Sequence, residues 1–212
     1  MTPIKLKINL ENMPHKVYRK VLVPENINMH QLHLVIQIAM GWANSHLFEF
    51  SDKKWNGKYR AGISNEIDDY FADSPEESLK DAFEVSLKDI FLKQNDGKPF
   101  WYLYDFGDDW RHKISFQKLN KKQLENVEDR LICFEAVGKC PPEDIGGPWG
   151  YVDFLEAIQD KNHPEHLEVL EWHGIDSNEE YDTETVNIDL INQQLSGLNK
   201  SEDWETDKYD IY

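Results

Sequence analysis

The sequence predicts an α+β domain: a mainly antiparallel sheet with an N-terminal hairpin–helix unit, a central aromatic hairpin and C-terminal helices. Three observations carry that expectation. Two segments near the N-terminus alternate apolar and polar residues with a period of two. Residues 29–40 repeat apolar side chains at helical spacing behind a capping signature, and helical spacing returns after residue 150.

Ile4, Leu6, Ile8 and Leu10 alternate with Lys5, Lys7 and Asn9, the pattern of a half-buried strand. Met13-Pro14-His15 turns the chain, and Val17, Arg19, Val21 and Val23 then alternate with Tyr18, Lys20 and Leu22 up to Pro24. Asn28 and Gln31 make a capping box ahead of a helix whose face holds Met29, Leu32, Val35, Ile36, Ala39 and Met40, with Gly41 as its stop. His46, Phe48 and Phe50 predict a third strand, and Asn56-Gly57 a tight turn. Residues 62–85 mix Gly, Ser, Pro and acids and read as an acidic insert, a loop or a loosely attached helix. Residues 100–106 and 110–116 read as paired strands, and 118–130 as an exposed polar connection. In the 140–150 loop, Pro148 is expected to block helix until Trp149-Gly150. Tyr151, Phe154, Leu155 and Ile158 mark a helix after Gly150. Pro164 opens another with Leu167, Leu170 and Trp172, and Val186, Ile188, Leu190, Ile191 and Leu195 allow one more. This organisation is one domain over residues 1–198 and an acidic tail, 199–212, from which Trp204 and Tyr209 can dock.

With 40% hydrophobic and 12% aromatic residues in 212, the chain has material for a real core. The longest apolar run, residues 34–40, is broken by Gln37 and is too short to span a bilayer. The N-terminal residues lack the apolar stretch of a signal peptide, and two cysteines do not make a disulfide framework. These features predict a cytoplasmic protein without membrane attachment. The net charge is -17, but residues 66–84 carry -7 and residues 176–212 carry -9, leaving -1 for everything else. The acidity thus belongs to an insert and a tail, and the remaining surface is not excluded from nucleic acid.

Two motifs concentrate chemistry. Residues 104–112, YDFGDDWRH, and residues 140–150, CPPEDIGGPWG, set carboxylates beside glycines and a tryptophan. Buried groups of this kind need partners. The candidate polar cluster is Asp105, Asp108, Asp109, Trp110, Arg111, His112, Cys140, Glu143, Asp144 and Trp149, with Arg19, Lys20 and His46 as further binding candidates. Two hairpin registers compete. A two-residue turn at Gly107-Asp108 pairs Asp105 with Trp110 and brings Asp105 diagonally to His112. A three-residue loop, 107–109, pairs Phe106 with Trp110, gathers Phe100, Tyr102, Tyr104, Phe106, Trp110, His112, Ile114 and Phe116 on one face, and makes Asp105 a partner of Arg111. The side-chain pattern favours the second. Glu143 and Asp144 either cap N–H groups or help to bind a cation or a basic partner. Cys133 and Cys140 lack the short spacing of a zinc knuckle, so no metal and no cofactor are assigned.

The chain resembles the plasmid pRiA4b ORF-3-like family, through residues 17–24 (VYRKVLVP), 32–42, 46–50 (HLFEF), 104–112, 140–151 and 160–166 (DKNHPEH). Tyr18 stands where the family often has tryptophan and Lys20 where it often has arginine. The resemblance implies an accessory protein of plasmids and insertion sequences, some of whose relatives carry a resolvase-like label. Neither a serine nor a tyrosine recombinase site can be assembled from this sequence, and no basic recognition helix is evident. Two function classes follow. The first is a non-catalytic binding module with an unknown protein or nucleic-acid partner, using basic clusters such as Lys53/Lys54/Lys58/Arg60 and Arg111/Lys113. The second is a metal-assisted or acid–base hydrolytic enzyme using Asp105, His112, Glu143 and Asp144.

Overall fold

The N-terminal alternation produces two long strands, β1 (Pro3–Leu10) and β2 (Val17–Pro24), paired antiparallel from Pro3↔Pro24 to Leu10↔Val17. The computed structural model describes residues 3–63, 79–119, 131–175, 181–198, 200, 201 and 204. The remaining strands among the described residues are β3 (Phe48–Ser51), β4 (Arg60–Gly62), β5 (Lys80–Asp81), β6 (Phe100–Tyr104), β7 (Trp110–Gln117) and β8 (Ile132–Val137). All eight form one sheet in the order β5-β4-β3-β6-β7-β1-β2-β8. Neighbours are antiparallel except β4 and β5, which run parallel, so the fold is α+β with a mixed sheet.

The helix α1 (Met29–Met40) forms where the capping box places it. Asn28 accepts from the Gln31 N–H, the Gln31 side chain accepts from the Asn28 N–H, and Gly41 closes the C-terminus at φ 90°. Its buried side packs on the inner sheet face, where the His33 ring stacks on Phe48 at 3.8 Å. Leu6, Ile8, Val21, Val35, Ile36, Phe50 and Tyr102 are among the sealed residues of this core. Among the described residues three further helices follow: α2 (Gly147–Gln159), α3 (His166–Trp172) and α4 (Ile188–Leu198). A π-helical segment, Lys88–Gln94, precedes β6. Among the described residues no helix is long and apolar enough to cross a membrane.

Several expectations change. Pro148 does not delay α2, which starts at Gly147 with proline in its first turn, where the missing N–H costs nothing. The strand β8 was not anticipated, because a bulge at Lys20/Val21 and poor alternation hide it. Within the expected insert, Asp81 and Ala82 are buried, and the Ala82 carbonyl accepts from the His30 N–H. The rest of the insert, 64–78, lies outside the described residues, as do most of the 118–130 connection and Tyr209. Trp204 does dock, its carbonyl accepting from the Gln31 side chain at 3.0 Å.

Candidate functional site

Both predicted hairpin registers give way to a third. Tyr104 faces Trp110 and Tyr102 faces His112, so the loop is five residues long, 105–109. The inner face is the one expected from the side-chain pattern, with Phe100, Tyr102, Tyr104, Trp110, His112 and Ile114 sealed, but Phe106 leaves it and is exposed. The tight turns assumed a glycine at positive φ. Instead Asp105 and Asp109 adopt it, at 55° and 58°. Asp105 does not pair with Arg111. Its Oδ1 accepts from the Gly107 and Asp108 N–H groups at 2.8 and 3.2 Å, while Asp109 takes Arg111 at 2.7 Å.

The hairpin tip and the 140–150 loop meet. Gly147, at φ 70°, lies so close to the Asp108 carbonyl that a Cβ there would collide with it. One strand away, Tyr104 donates its hydroxyl to Glu143 Oε1 at 2.5 Å, while Glu143 Oε2 accepts from the Ala43 N–H at 2.7 Å and Tyr104 accepts from the Ser45 N–H at 2.9 Å. Burial, reinforced by Glu143, raises the Tyr104 hydroxyl well above the usual phenol range. Above this contact lie His46, Asp105 and Asp144. His46 Nε2 is 3.1 Å from Asp144 Oδ1 and 3.5 Å from Asp105 Oδ2, yet it makes no hydrogen bond to either.

Behind this surface a closed hydrogen-bonded ring fills the core. The Gln37 amide donates to Tyr102 at 2.9 Å, Tyr102 donates to His33 Nδ1 at 2.7 Å, His33 Nε2 donates to Asn44 at 2.5 Å, and the Asn44 N–H returns to Gln37 at 3.1 Å. Burial pushes the His33 imidazole down to about 3, and the neutral ring accepts from Tyr102 and donates to Asn44.

The other candidates separate by environment. His112 is sealed, touches the Tyr102 carbonyl at 3.3 Å and the edge of Trp42, and burial pushes it down to about 3. Among the described residues no hydrogen bond or ion pair joins it to Asp105, Glu143 or Asp144. Trp110 is core. Arg19 is 1% exposed and spends its guanidinium on the Ala39, Tyr18, Val137 and Gly138 carbonyls at 2.6 to 3.0 Å. Cys140 and Cys133 are buried free thiols, and burial pushes the Cys140 thiol up to about 11. Lys20 pairs with Glu135 at 2.7 Å on the outer face. Trp149 projects from the first turn of α2, 84% exposed.

That outer face carries what the sequence motifs did not single out. Trp101, Lys113, Asn9 and Tyr18 stand opposite one another in a single cross-strand row. The loop after β3 folds over the row's end. The Arg111 guanidinium lies 3.5 Å from the Trp55 ring centre and donates to the Lys54 carbonyl at 2.7 Å. Lys54 is 5.5 Å from the Trp101 ring, Lys113 is 5.9 Å from it, and Lys7 is 4.3 Å from the Tyr18 ring. Between loop and sheet lies a groove of about 760 Å³, lined by Lys53, Lys54, Trp55, Lys58, Trp101 and Arg111 among others. The observed register sets Trp101 opposite Lys113, a pair that neither expected register gave. The contribution of Trp55 required the path of the loop.

The comparisons with known proteins agree on lineage and give no activity. The family model described as plasmid pRiA4b ORF-3-like protein matches residues 2–190. The uncharacterized protein y4hQ of Sinorhizobium fredii (strain NBRC 101917 / NGR234) is 38% identical over 195 residues, which is 92% of this chain and 91% of that protein. The crystal structure of MM3350 from Methanosarcina mazei Go1, a protein of unknown function, is similar with a TM-score of 0.67 and 27% identity, covering 88% of this chain and 96% of that one.

Proposed function

The chain belongs to the plasmid pRiA4b ORF-3-like family, and we propose that it is a non-catalytic binding module that holds single-stranded nucleic acid on its outer sheet face, as a cytoplasmic accessory of mobile elements. The observation that carries this reading is the row of aromatic rings overlaid by cations. Stacking on Trp and Tyr suits any base, and lysines between the rings suit the phosphates. From Trp101 to Tyr18 the row crosses three strand spacings, roughly 14 Å at about 4.8 Å each. That is room for a few unpaired nucleotides. One nearby acid, Glu11, accepts from Asn9 within the row at 2.8 Å, and the others are already engaged by cations. Glu49 is taken by Arg60, Glu135 by Lys20 and Asp109 by Arg111, while among the described residues Lys7, Lys54 and Lys113 carry no ion pair. The two unpaired thiols support a reducing compartment, and the plasmid in the family's description supports the mobile-element setting. The hydrolytic alternative has less support, because His112 is sealed and Glu143 is committed to Tyr104 and Ala43.

The test is fluorescence anisotropy with a labelled single strand of roughly 10–15 nucleotides. Binding should weaken steeply with salt, and Lys113→Gln should lower the salt slope by about one. Loss of one stacking platform is worth about 1–3 kcal/mol, so Trp101→Ala should weaken binding about 5- to 150-fold. Binding that ignores Trp55→Ala and Trp101→Ala, or no binding to DNA or RNA at low salt, ends the proposal.

A further inference from the structure

The geometry points to a second, independent site: His46, Asp105 and Asp144 bind a divalent first-row transition metal. Their ligand atoms all lie within 4.8 Å of one another. Two ligands bound to one ion at roughly 2.0–2.2 Å, subtending a tetrahedral or octahedral angle, lie about 2.9–3.5 Å apart. The two separations from His46 Nε2, 3.1 and 3.5 Å, fall in that interval.

The missing hydrogen bond says the same. A hydrogen bond would put a carboxylate oxygen on the axis of the ring nitrogen. His46 Nε2 is closed to solvent, flanked by two carboxylate oxygens, and bonded to neither. An ion pair alone leaves that buried nitrogen without a hydrogen bond.

The three side chains are held independently of any ligand. The Asp105 carboxylate is fixed through Oδ1 by two backbone N–H groups, which leaves Oδ2 for the site. His46 precedes β3, and the neighbouring Leu47 carbonyl receives the Asp105 N–H at 3.0 Å, tying the two segments together. Asp144 sits on the loop that Gly147 seats against the hairpin. An imidazole beside two carboxylates selects a borderline ion such as Zn²⁺ or Mn²⁺ over Ca²⁺ or Mg²⁺, which take oxygen ligands. Three protein ligands leave coordination positions for solvent or a ligand oxygen. The exposure of the Asp144 side chain, 72%, opens them outward.

The experiment uses the full chain, freed of purification tag and stripped with chelator, titrated calorimetrically with Zn²⁺, Mn²⁺ and Ca²⁺ in turn. One equivalent of Zn²⁺ or Mn²⁺ per chain is expected, with Ca²⁺ much weaker. Asp144→Asn is on the surface and His46→Gln is half-buried. Each should lose on the order of 100-fold in affinity, at least what an outer-shell change costs, with an unchanged circular dichroism spectrum. His163→Gln, on an exposed turn, should bind as the parent does. No stoichiometric binding of Zn²⁺ or Mn²⁺, a preference for Ca²⁺, or affinity untouched by both variants overturns the assignment. Oligonucleotide binding is read separately, so failure of one site leaves the other standing.

Discussion

Replacing Arg19 with methionine separates a structural cation from a binding one. The guanidinium is almost fully buried without a carboxylate and is satisfied by carbonyls instead. Two of these belong to chain ends that have no ladder to serve them: Ala39 in the last turn of α1, and Gly138 just beyond β8. Hydrogen bonds to a charged group contribute about 1.5–3 kcal/mol each, so losing these two removes about 3–6 kcal/mol. Methionine matches the stem's apolar packing and releases the desolvation penalty of the buried charge, which returns part of that loss. A net destabilisation of about 3 kcal/mol is the expected result. It is measured as a lower urea midpoint at unchanged slope. Lysine keeps the charge but cannot fork to several carbonyls, so Arg19→Lys should recover less than half of the loss. The oligonucleotide affinity of folded Arg19→Met should equal that of the parent. A shift within 0.5 kcal/mol, roughly the spread of inert surface changes, refutes the structural role. Weakened binding with intact stability returns Arg19 to the binding surface.

Two further outcomes follow from the core. His33 and His112 are held neutral with pKa values near 3, against about 6.5 when unfolded, so the unfolded chain binds the extra protons. Stability is therefore complete above pH 6.5 and falls as pH drops toward 3, by about 2 kcal/mol for each ring at pH 5; urea midpoints at pH 7 and 5 that coincide contradict this. Gly147→Ala forces a Cβ into the Asp108 carbonyl at positive φ, so it should part the loop from the hairpin. A lower thermal midpoint with weakened Zn²⁺ binding is expected, and a parent-like protein rules out that contact.

The legible parts of this fold are the local ones. The hairpin of β1 and β2 and the capped helix α1 are specified by residues a few positions apart, and each local preference agrees with the final packing. The central hairpin was readable in its faces but not in its register, because positive φ went to Asp105 and Asp109 while Gly107 did without it. The strand β8 was hidden since only Cys133 in its run is fully buried, which leaves no period to detect. The candidate site divides the same way. Asp105 and Asp144 stood out in their motifs, but the imidazole beside them is His46, brought in by the Leu47–Asp105 backbone bond; His112, the nearer histidine in sequence, points into the core. Nothing within either motif encodes that long-range choice.

Net charge is a poor guide to what this surface binds. Of the -17, residues 66–84 and 176–212 carry all but one unit, and exposed charges beyond about 8 Å are largely screened at physiological ionic strength. A phosphate at the outer sheet face meets Lys7, Lys54 and Lys113, whose rings lie within 4.3 to 5.9 Å. The rings matter to those lysines as much as to a base. An ammonium over an aromatic face gains about 0.5–1 kcal/mol at an exposed site without losing its charge. A carboxylate at the same place would neutralise it, as Glu135 does Lys20. Pairing cations with rings keeps them ordered and still available to an anion, so the row from Trp101 to Tyr18 stays attractive to phosphate in a protein whose total charge opposes it.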